Sequence, residues 1–508
     1  MKAVVNALSR AARNFPGRMA LIGDGVTLSF EDLQSEISRQ YERLHAARPR
    51  AVGLLLDNSP AWAIIDLAAQ KAQLPVVPLP AFFSSRQLLH ALRDAGVDTV
   101  FTDAPAILEE VLNRGGIAVN SHRMETIGAR SLHVLSIDAA APPGLPPGIA
   151  KISYTSGTTG TPRGVCLGQL AIDTVARSLS DRAGLRPGDR HLSLLPLSTL
   201  LENIGGIYAP LLAGASCCLP SLHSLGTYGA ARIDVPRLLA AMQTWQATTA
   251  IMVPQMLQGV VEAVEDRMCA PARLRFLAVG GAPVSQRLLR RASACGVPVY
   301  EGYGLSECAS VVAVNGPGQQ RIGSVGKPLP HIELGFADDG EILVAGAVFD
   351  GYLGDRPESR ERIVATGDLG YLDSDGYLHI TGRKKHMFVT SFGRNAAPEW
   401  IERELTLHPA IAQAAVFGEA RPWNSAVVVP TGASTVNGSA AIRRAIAEIN
   451  KLLPDYARVA RWIVADAPFS TANGQLTASG RIRRRNVWQH YGTRIEQLYL
   501  ASPKELSA

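Results

Sequence analysis

Short apolar runs alternate with amphipathic stretches through the first half of the chain. AVGLLLD (51–57) is an apolar run of strand length, closed by Asn58-Ser59-Pro60. That pattern predicts a buried strand. An N-cap serine and a proline at the first helical position then predict a helix through AWAIIDLAAQ. PVVPL (75–79), TVFTD (99–103), KISYT (151–155), HLSLLPL (191–197), TAIMVP (249–254) and RFLAVGG (275–281) extend the alternation as expected strands. Strands separated by helical patterns imply parallel sheets flanked by helices.

From about Gly340 the pattern shortens to β segments with Asp-Gly turns, DDGEILVAG and DSDGYLHITG. After GRKK (382–385) an α+β pattern begins. It has a helix from about Pro398, strands IAQAAVFG (411–418) and SAVVVP (425–430), and a helix over about 439–452. The expected fold is therefore α/β. A large N-terminal domain (1–383) of parallel and mixed sheets with helices carries a β-rich subdomain, and a small, mobile α+β domain (384–508) follows.

At 508 residues the chain exceeds a single core, and its 47% hydrophobic and 19% charged residues suit a globular enzyme. The net charge of +6 is modest. The run Arg481 to Arg485 suits phosphate-bearing ligands, but nothing in the pattern supports nucleic-acid binding. Six scattered cysteines without a CxxC pair suggest neither a zinc site nor a disulfide framework, and fit a reducing cytoplasm. The N-terminus reads as an amphipathic helix and not a signal peptide. The stretch from Ile204 to Ala231 lacks Asp, Glu, Lys and Arg, but its prolines and glycines argue against a membrane span. It reads as buried protein near an apolar ligand pocket.

Five strings carry chemistry. Tyr154-Thr-Ser-Gly-Thr-Thr-Gly-Thr-Pro-Arg-Gly164 follows a strand and combines glycines, hydroxyls and one cation. Those groups suit a loop that grips a triphosphate, without the Walker ending. Gly280-Gly-Ala-Pro283 at a strand end gives a flat base access to backbone. Tyr300-Glu-Gly-Tyr-Gly-Leu-Ser-Glu307 ends in a carboxylate suited to a hard cation. Thr366-Gly-Asp368 offers a carboxylate for paired hydroxyls. Asn473 to Arg484 forms a Gly-bearing basic loop, for which a solvated basic tail is the plain alternative.

Together and in this order the strings resemble the adenylate-forming superfamily of acyl-CoA synthetases, nonribosomal-peptide adenylation domains and luciferases. The last one is closest in style to long-chain fatty acid–CoA ligases. The resemblance implies that Thr155, Ser156, Gly157, Thr158, Thr159, Gly160 and Arg163 hold the pyrophosphate end of ATP. It also implies that Gly281, Ala282 and Pro283 pack on adenine, with Tyr303 stacking there beside Glu301, Gly302 and Gly304. Ser306 would meet the α-phosphate, Glu307 would ligate Mg²⁺, and Asp368 and Arg383 would hold the ribose. Lys384 falls at the hinge, Ser391 to Arg394 would face the pantetheine tunnel, and Arg481 takes the catalytic lysine's place.

Three positions depart from the family. Arg163 and Arg481 stand where lysine is usual, and Thr199 stands where histidine is usual. The implied activity is ATP- and Mg²⁺-dependent activation of a fatty or other apolar acid, followed by transfer to coenzyme A. The alternatives are a carrier-protein or amine acceptor, or a nucleotide-binding sensor with impaired catalysis.

Overall fold

The computed structural model describes residues 3–139, 145, 147–155, 162–228, 232–355, 363–431, 438–477 and 480–500. The expected helix runs over Pro60–Ala72, with Ser59 in extended backbone accepting the Trp62 N–H at 3.4 Å. Its residues from Pro60 to Gln70 are all buried, including Asp66, which pairs with the buried Lys151 at 2.8 Å. The N-terminal amphipathic helix is Ala3–Asn14 and buries Val4, Val5 and Leu8.

A seven-stranded sheet has Val52–Leu55, Val76–Pro78, Thr99–Thr102 and Ile149–Thr155 in its parallel middle. Its last strand, Arg163–Gly168, pairs antiparallel with Ile149–Thr155 and places Thr155 opposite Arg163. A nine-stranded sheet contains a parallel run of Ser216–Cys218, Arg190–Leu192, Thr249–Met252, Phe276–Val279 and Val299–Tyr303. Because these strands run the same way, their carboxyl ends share one edge, where open α/β sheets hold ligands.

The Asp-Gly turns lie in an antiparallel sheet of Ile332–Phe336, Glu341–Gly346, Ile363–Leu372 and Leu378–Arg383. Register sets Asp368 directly opposite Arg383.

The C-terminal part builds a three-stranded sheet from Ile411–Phe417, Asn424–Pro430 and Val459–Val464. Strand alternation divides its core. Ala414, Val416 and Val428 pack with Ile442 and Ile446, while Ala415, Phe417 and Val427 pack with Tyr491 and Ile495 of the helix Arg484–Leu500. Arg484 pairs with Glu402, so this part of the basic run is anchored and is not a solvated tail. The sheet docks on the larger part through Leu407, which joins a core cluster there. Ser285 Oγ also bonds Glu404 at 3.1 Å, and Gln258 bonds the Thr406 carbonyl at 3.2 Å.

One strand is shorter than expected. HLSLLPL forms a strand only over Arg190–Leu192. Pro196 has no N–H for a ladder, and the Leu195 N–H turns instead to Glu202 at 3.3 Å. The uncharged stretch opens with a π-helical turn, Ile204–Tyr208, inside the protein. Among the described residues no helix is long and apolar enough to cross a membrane.

Candidate functional site

A cleft of about 2240 Å³ lies along the carboxyl edge of the nine-stranded sheet and reaches the C-terminal part. The strand end at Tyr303 and the hairpin bearing Asp368 and Arg383 meet on its wall. Asp368 is buried; one oxygen accepts from the Tyr303 hydroxyl at 2.8 Å, and the other pairs with Arg383 Nε at 2.7 Å. Burial, followed by the Asp368 charge, raises the Tyr303 pKa, so the phenol remains a donor. The result is a phenol, a carboxylate and a guanidinium joined by hydrogen bonds, able to receive a base and a pair of hydroxyls.

Gly304 continues this wall because no larger residue fits. A Cβ there would lie 1.8 Å from the Ser310 carbonyl oxygen. The chain can therefore turn tightly from Tyr303 into the short 3₁₀ segment Ser306–Cys308, which presents Ser306 and Glu307 to the cleft. Glu307 Oε1 accepts the Tyr352 hydroxyl at 2.8 Å. Its second oxygen has no hydrogen bond among the described residues, and these contain no cluster of three or more metal-ligating side chains. One hard oxygen donor without a protein cage fits Mg²⁺ delivered with phosphate oxygens, and does not fit a standing structural metal.

Arg481 reaches across from the C-terminal part and donates from Nη2 to the Gly281 carbonyl at 2.8 Å. Part of its side chain meets cleft water, yet walls from both sides crowd it. That burial, and then Arg383, lower its pKa, while Asp368 and Glu307 oppose the shift. The guanidinium keeps its charge in any such setting. Thus Tyr303, Arg383, Glu307, Ser306 and Arg481 are brought to one cleft, with Gly281 and Gly302 on its floor, and Asp368 lies buried behind Tyr303 and Arg383, bonded to both.

Not every expected residue can be placed on the cleft wall. Ser156, Gly157, Thr158, Thr159 and Gly160 lie outside the described residues, though Thr155 and Arg163, which bracket them, both line the cleft. Ala282 and Pro283 are exposed next to Gly281 and do not line the wall. Glu301 does not line it either. Strand alternation places its side chain on the face opposite Gly302, buried near Arg403. Burial pushes its carboxyl up to about 7, against the pull of Arg403 and the Val284 N–H. Thr199 lines the cleft with its hydroxyl turned back to the Pro196 carbonyl at 2.7 Å.

Tyr352 is a site residue that the motifs do not mark. It belongs to GYLGD, a turn-rich string in which an aromatic is the only available signal.

The cleft has a second, apolar arm. Thr249, Ile251 and Val253 lie on the same sheet face as Phe276, Ala278 and Gly280, with His191 at the far level. Thr249 and Val253 are four positions apart, so this arm follows the strands for about 13 Å. Opposite lies the π-helical turn with Gly205 and then Ala209. At the far end His191 is satisfied on both nitrogens, by Thr249 Oγ1 at 3.0 Å and Glu202 Oε1 at 3.1 Å.

Two family models match the chain: AMP-binding enzyme over residues 8–353, and AMP-binding enzyme C-terminal domain over residues 385–503. A long-chain-fatty-acid–CoA ligase, FadD15 of Mycobacterium bovis, is 28% identical over 528 residues, covering 86% of each chain. A feruloyl-CoA synthase of Amycolatopsis sp is 30% identical over 509 residues, covering 94% of this chain and 97% of the synthase. Among solved structures, o-succinylbenzoate CoA synthetase of Bacillus subtilis with ATP and magnesium superposes with a TM-score of 0.72. It is 25% identical and covers 94% of this chain and 98% of that one. The anthranilate CoA ligase AuaEII with anthranoyl-AMP has a TM-score of 0.78 at 20% identity, covering 96% of each chain, and shares the fold.

Proposed function

The chain belongs to the AMP-binding enzyme family, and from that membership we propose that it activates an apolar carboxylic acid with ATP and passes the acyl group to coenzyme A. The carrying observation is Arg481 crossing to the Gly281 carbonyl, beside Asp368 and Glu307. That arrangement closes a cation over the place where a carboxylate and an α-phosphate would meet.

A carboxylate oxygen attacks the α-phosphorus, the bond to the β-phosphate oxygen breaks, and pyrophosphate leaves an acyl-AMP. Both reactants are anionic, so the protein's work is alignment and charge neutralisation. Tyr303 and Gly281 would hold the base, Asp368 with Arg383 the ribose, and Arg163 with the loop after Thr155 the departing pyrophosphate. Arg481 would neutralise charge at the reacting centre, with Ser306 on the α-phosphate. Glu307 would hold Mg²⁺, which supplies charge neutralisation on the phosphate oxygens. A thiol sulfur then attacks the acyl carbonyl, AMP departs, and the thiol proton passes to water.

The second step requires the small domain to move. We place the domain boundary at Arg383–Lys384. There Lys384 is tied to Asp339 at 2.5 Å and Glu341 at 2.8 Å, and its N–H bonds the Gly367 carbonyl. These contacts favour the arrangement in which Arg481 faces the nucleotide. Rotation would break them and bring the Ser391 to Arg394 turn, with its exposed Phe392, towards the thiol's path.

The apolar arm supports a straight-chain acid as the substrate. A satisfied His191 offers no partner to a polar tail, and the arm's length suits an extended aliphatic chain. Gly205 is a point of close approach in it, since a Cβ there would lie 2.7 Å from Ile251 Cδ1. Pyrophosphate release should therefore rise with acid length from butanoate to dodecanoate. In Gly205→Val, kcat/KM for dodecanoate should fall about 100-fold while butanoate changes less than about threefold. Ile251→Ala added to Gly205→Val should recover the long acid. A uniform loss at every chain length would refute this placement of the tail.

A further inference from the structure

We propose that Tyr352 is a positioning residue that links the phosphate arm, Arg163, to the metal-binding carboxylate, Glu307. The proposal rests on the reading of Glu307 as the Mg²⁺ ligand. Tyr352 uses its ring and its hydroxyl for different jobs. The Arg163 guanidinium lies 3.4 Å above its ring centroid, and its hydroxyl donates to Glu307 Oε1 at 2.8 Å.

The backbone makes this placement stiff. Tyr352 bridges Val165, the Cys166 N–H bonds the Gly351 carbonyl at 3.1 Å, and the Leu353 N–H bonds the Gly164 carbonyl at 2.8 Å. The segment is thereby zipped onto the strand that begins at Arg163. Asp355 accepts the Tyr352 N–H at 2.9 Å and lies 3.8 Å from Arg163. On the other side the Phe349 N–H bonds the Glu307 carbonyl at 2.8 Å, and the Phe349 ring meets Tyr352 edge-on at 5.0 Å. Residues 349–355 therefore bridge the two charged groups through backbone and side chain alike.

This geometry also accounts for arginine at position 163. A planar guanidinium stacks flat on a phenol ring and keeps its edge donors for phosphate, whereas an ammonium has no face to stack. The hydroxyl engages one oxygen of Glu307 and leaves the other without a hydrogen bond among the described residues.

Two substitutions separate the two jobs. Tyr352→Phe keeps the ring under Arg163 and deletes the hydroxyl, whereas Tyr352→Leu removes both. Calorimetric titrations of the intact chain would use ATP at graded Mg²⁺, inorganic pyrophosphate, and AMP. In Tyr352→Phe the Mg²⁺ concentration that half-saturates ATP binding should rise about tenfold, with pyrophosphate and AMP binding unchanged. Tyr352→Leu should show the same rise and also bind pyrophosphate about tenfold more weakly.

An unaltered Mg²⁺ requirement in Tyr352→Phe would overturn the proposal. So would equal weakening of AMP in both variants, because AMP lacks the β- and γ-phosphates that the proposed reading sets against Arg163. A wild-type chain that binds ATP with no Mg²⁺ requirement would instead strike the reading of Glu307, and this proposal with it.

Discussion

Arg481→Ala is expected to slow acyl-adenylate formation about a thousandfold while leaving thioester formation from supplied acyl-AMP within about threefold. Arg481 is the cation that reaches the reacting centre from the mobile side, and Asp368 and Glu307 both attract it there. In the transition state the entering carboxylate and the α-phosphate share negative charge at close range, and a fixed guanidinium offsets it without solvent reorganisation. On the proposed rotation of the small domain, Arg481 would leave the centre before the second half-reaction, and its removal should matter little there. Single-turnover assays started from ATP plus acid, and separately from acyl-AMP plus thiol, measure the two numbers. Equal losses in both would mean that Arg481 only supports the fold of its loop. Arg481→Lys retains the charge on a compact head and should keep adenylation within about tenfold of the parent.

Asp368→Ala should lower kcat/KM for ATP about 100-fold, chiefly through KM. The carboxylate is buried, holds the Tyr303 phenol at 2.8 Å and pairs with Arg383 at 2.7 Å. Its loss strands a phenol and leaves Arg383 beside Arg481 with their shared anion gone, so two like charges repel in the cleft. The ribose then has neither an acceptor nor an ordered donor. Asp368→Asn keeps the shape and part of the hydrogen bonding, and should fall between the parent and Asp368→Ala. Nucleotide titration together with thermal melting distinguishes this from unfolding. Tyr303 and Arg383 reach solvent, so the melting temperature should drop far less than nucleotide affinity.

Much of the site is legible in the amino-acid order alone, for physical reasons that differ from residue to residue. Asp368 and Arg383 sit at strand positions that an Asp-Gly hairpin forces into register, so two short motifs imply one contact. Tyr303, Ser306 and Glu307 follow a strand end at the carboxyl edge of a parallel sheet, where side chains must face a ligand crevice. Glu301 departs from its expected place because alternation along its own strand turns it to the opposite face. Tyr352 is hidden because its importance comes from tertiary pairing with Val165 and Glu307, distant along the chain, and not from any local string. The uncharged stretch after Asn203 points to an apolar arm, but the π-helical turn that aims Gly205 at Ile251 leaves no periodic signal in a run of small residues. The basic run near the end is ambiguous as a string, and only tertiary contacts resolve it: Arg484 pairs with Glu402, and Arg481 reaches Gly281.

One cleft is proposed to join a carboxylate to the α-phosphate of ATP, with reversible loss of pyrophosphate. The most direct test is the incorporation of labelled pyrophosphate into ATP, in the presence of Mg²⁺ and a straight-chain acid such as dodecanoate and without coenzyme A. Label is expected in ATP only when the acid is present, and should nearly disappear in Arg481→Ala. Tight ATP binding with no acid-dependent exchange, across aliphatic, aromatic and amino acids alike, would contradict the proposed reaction.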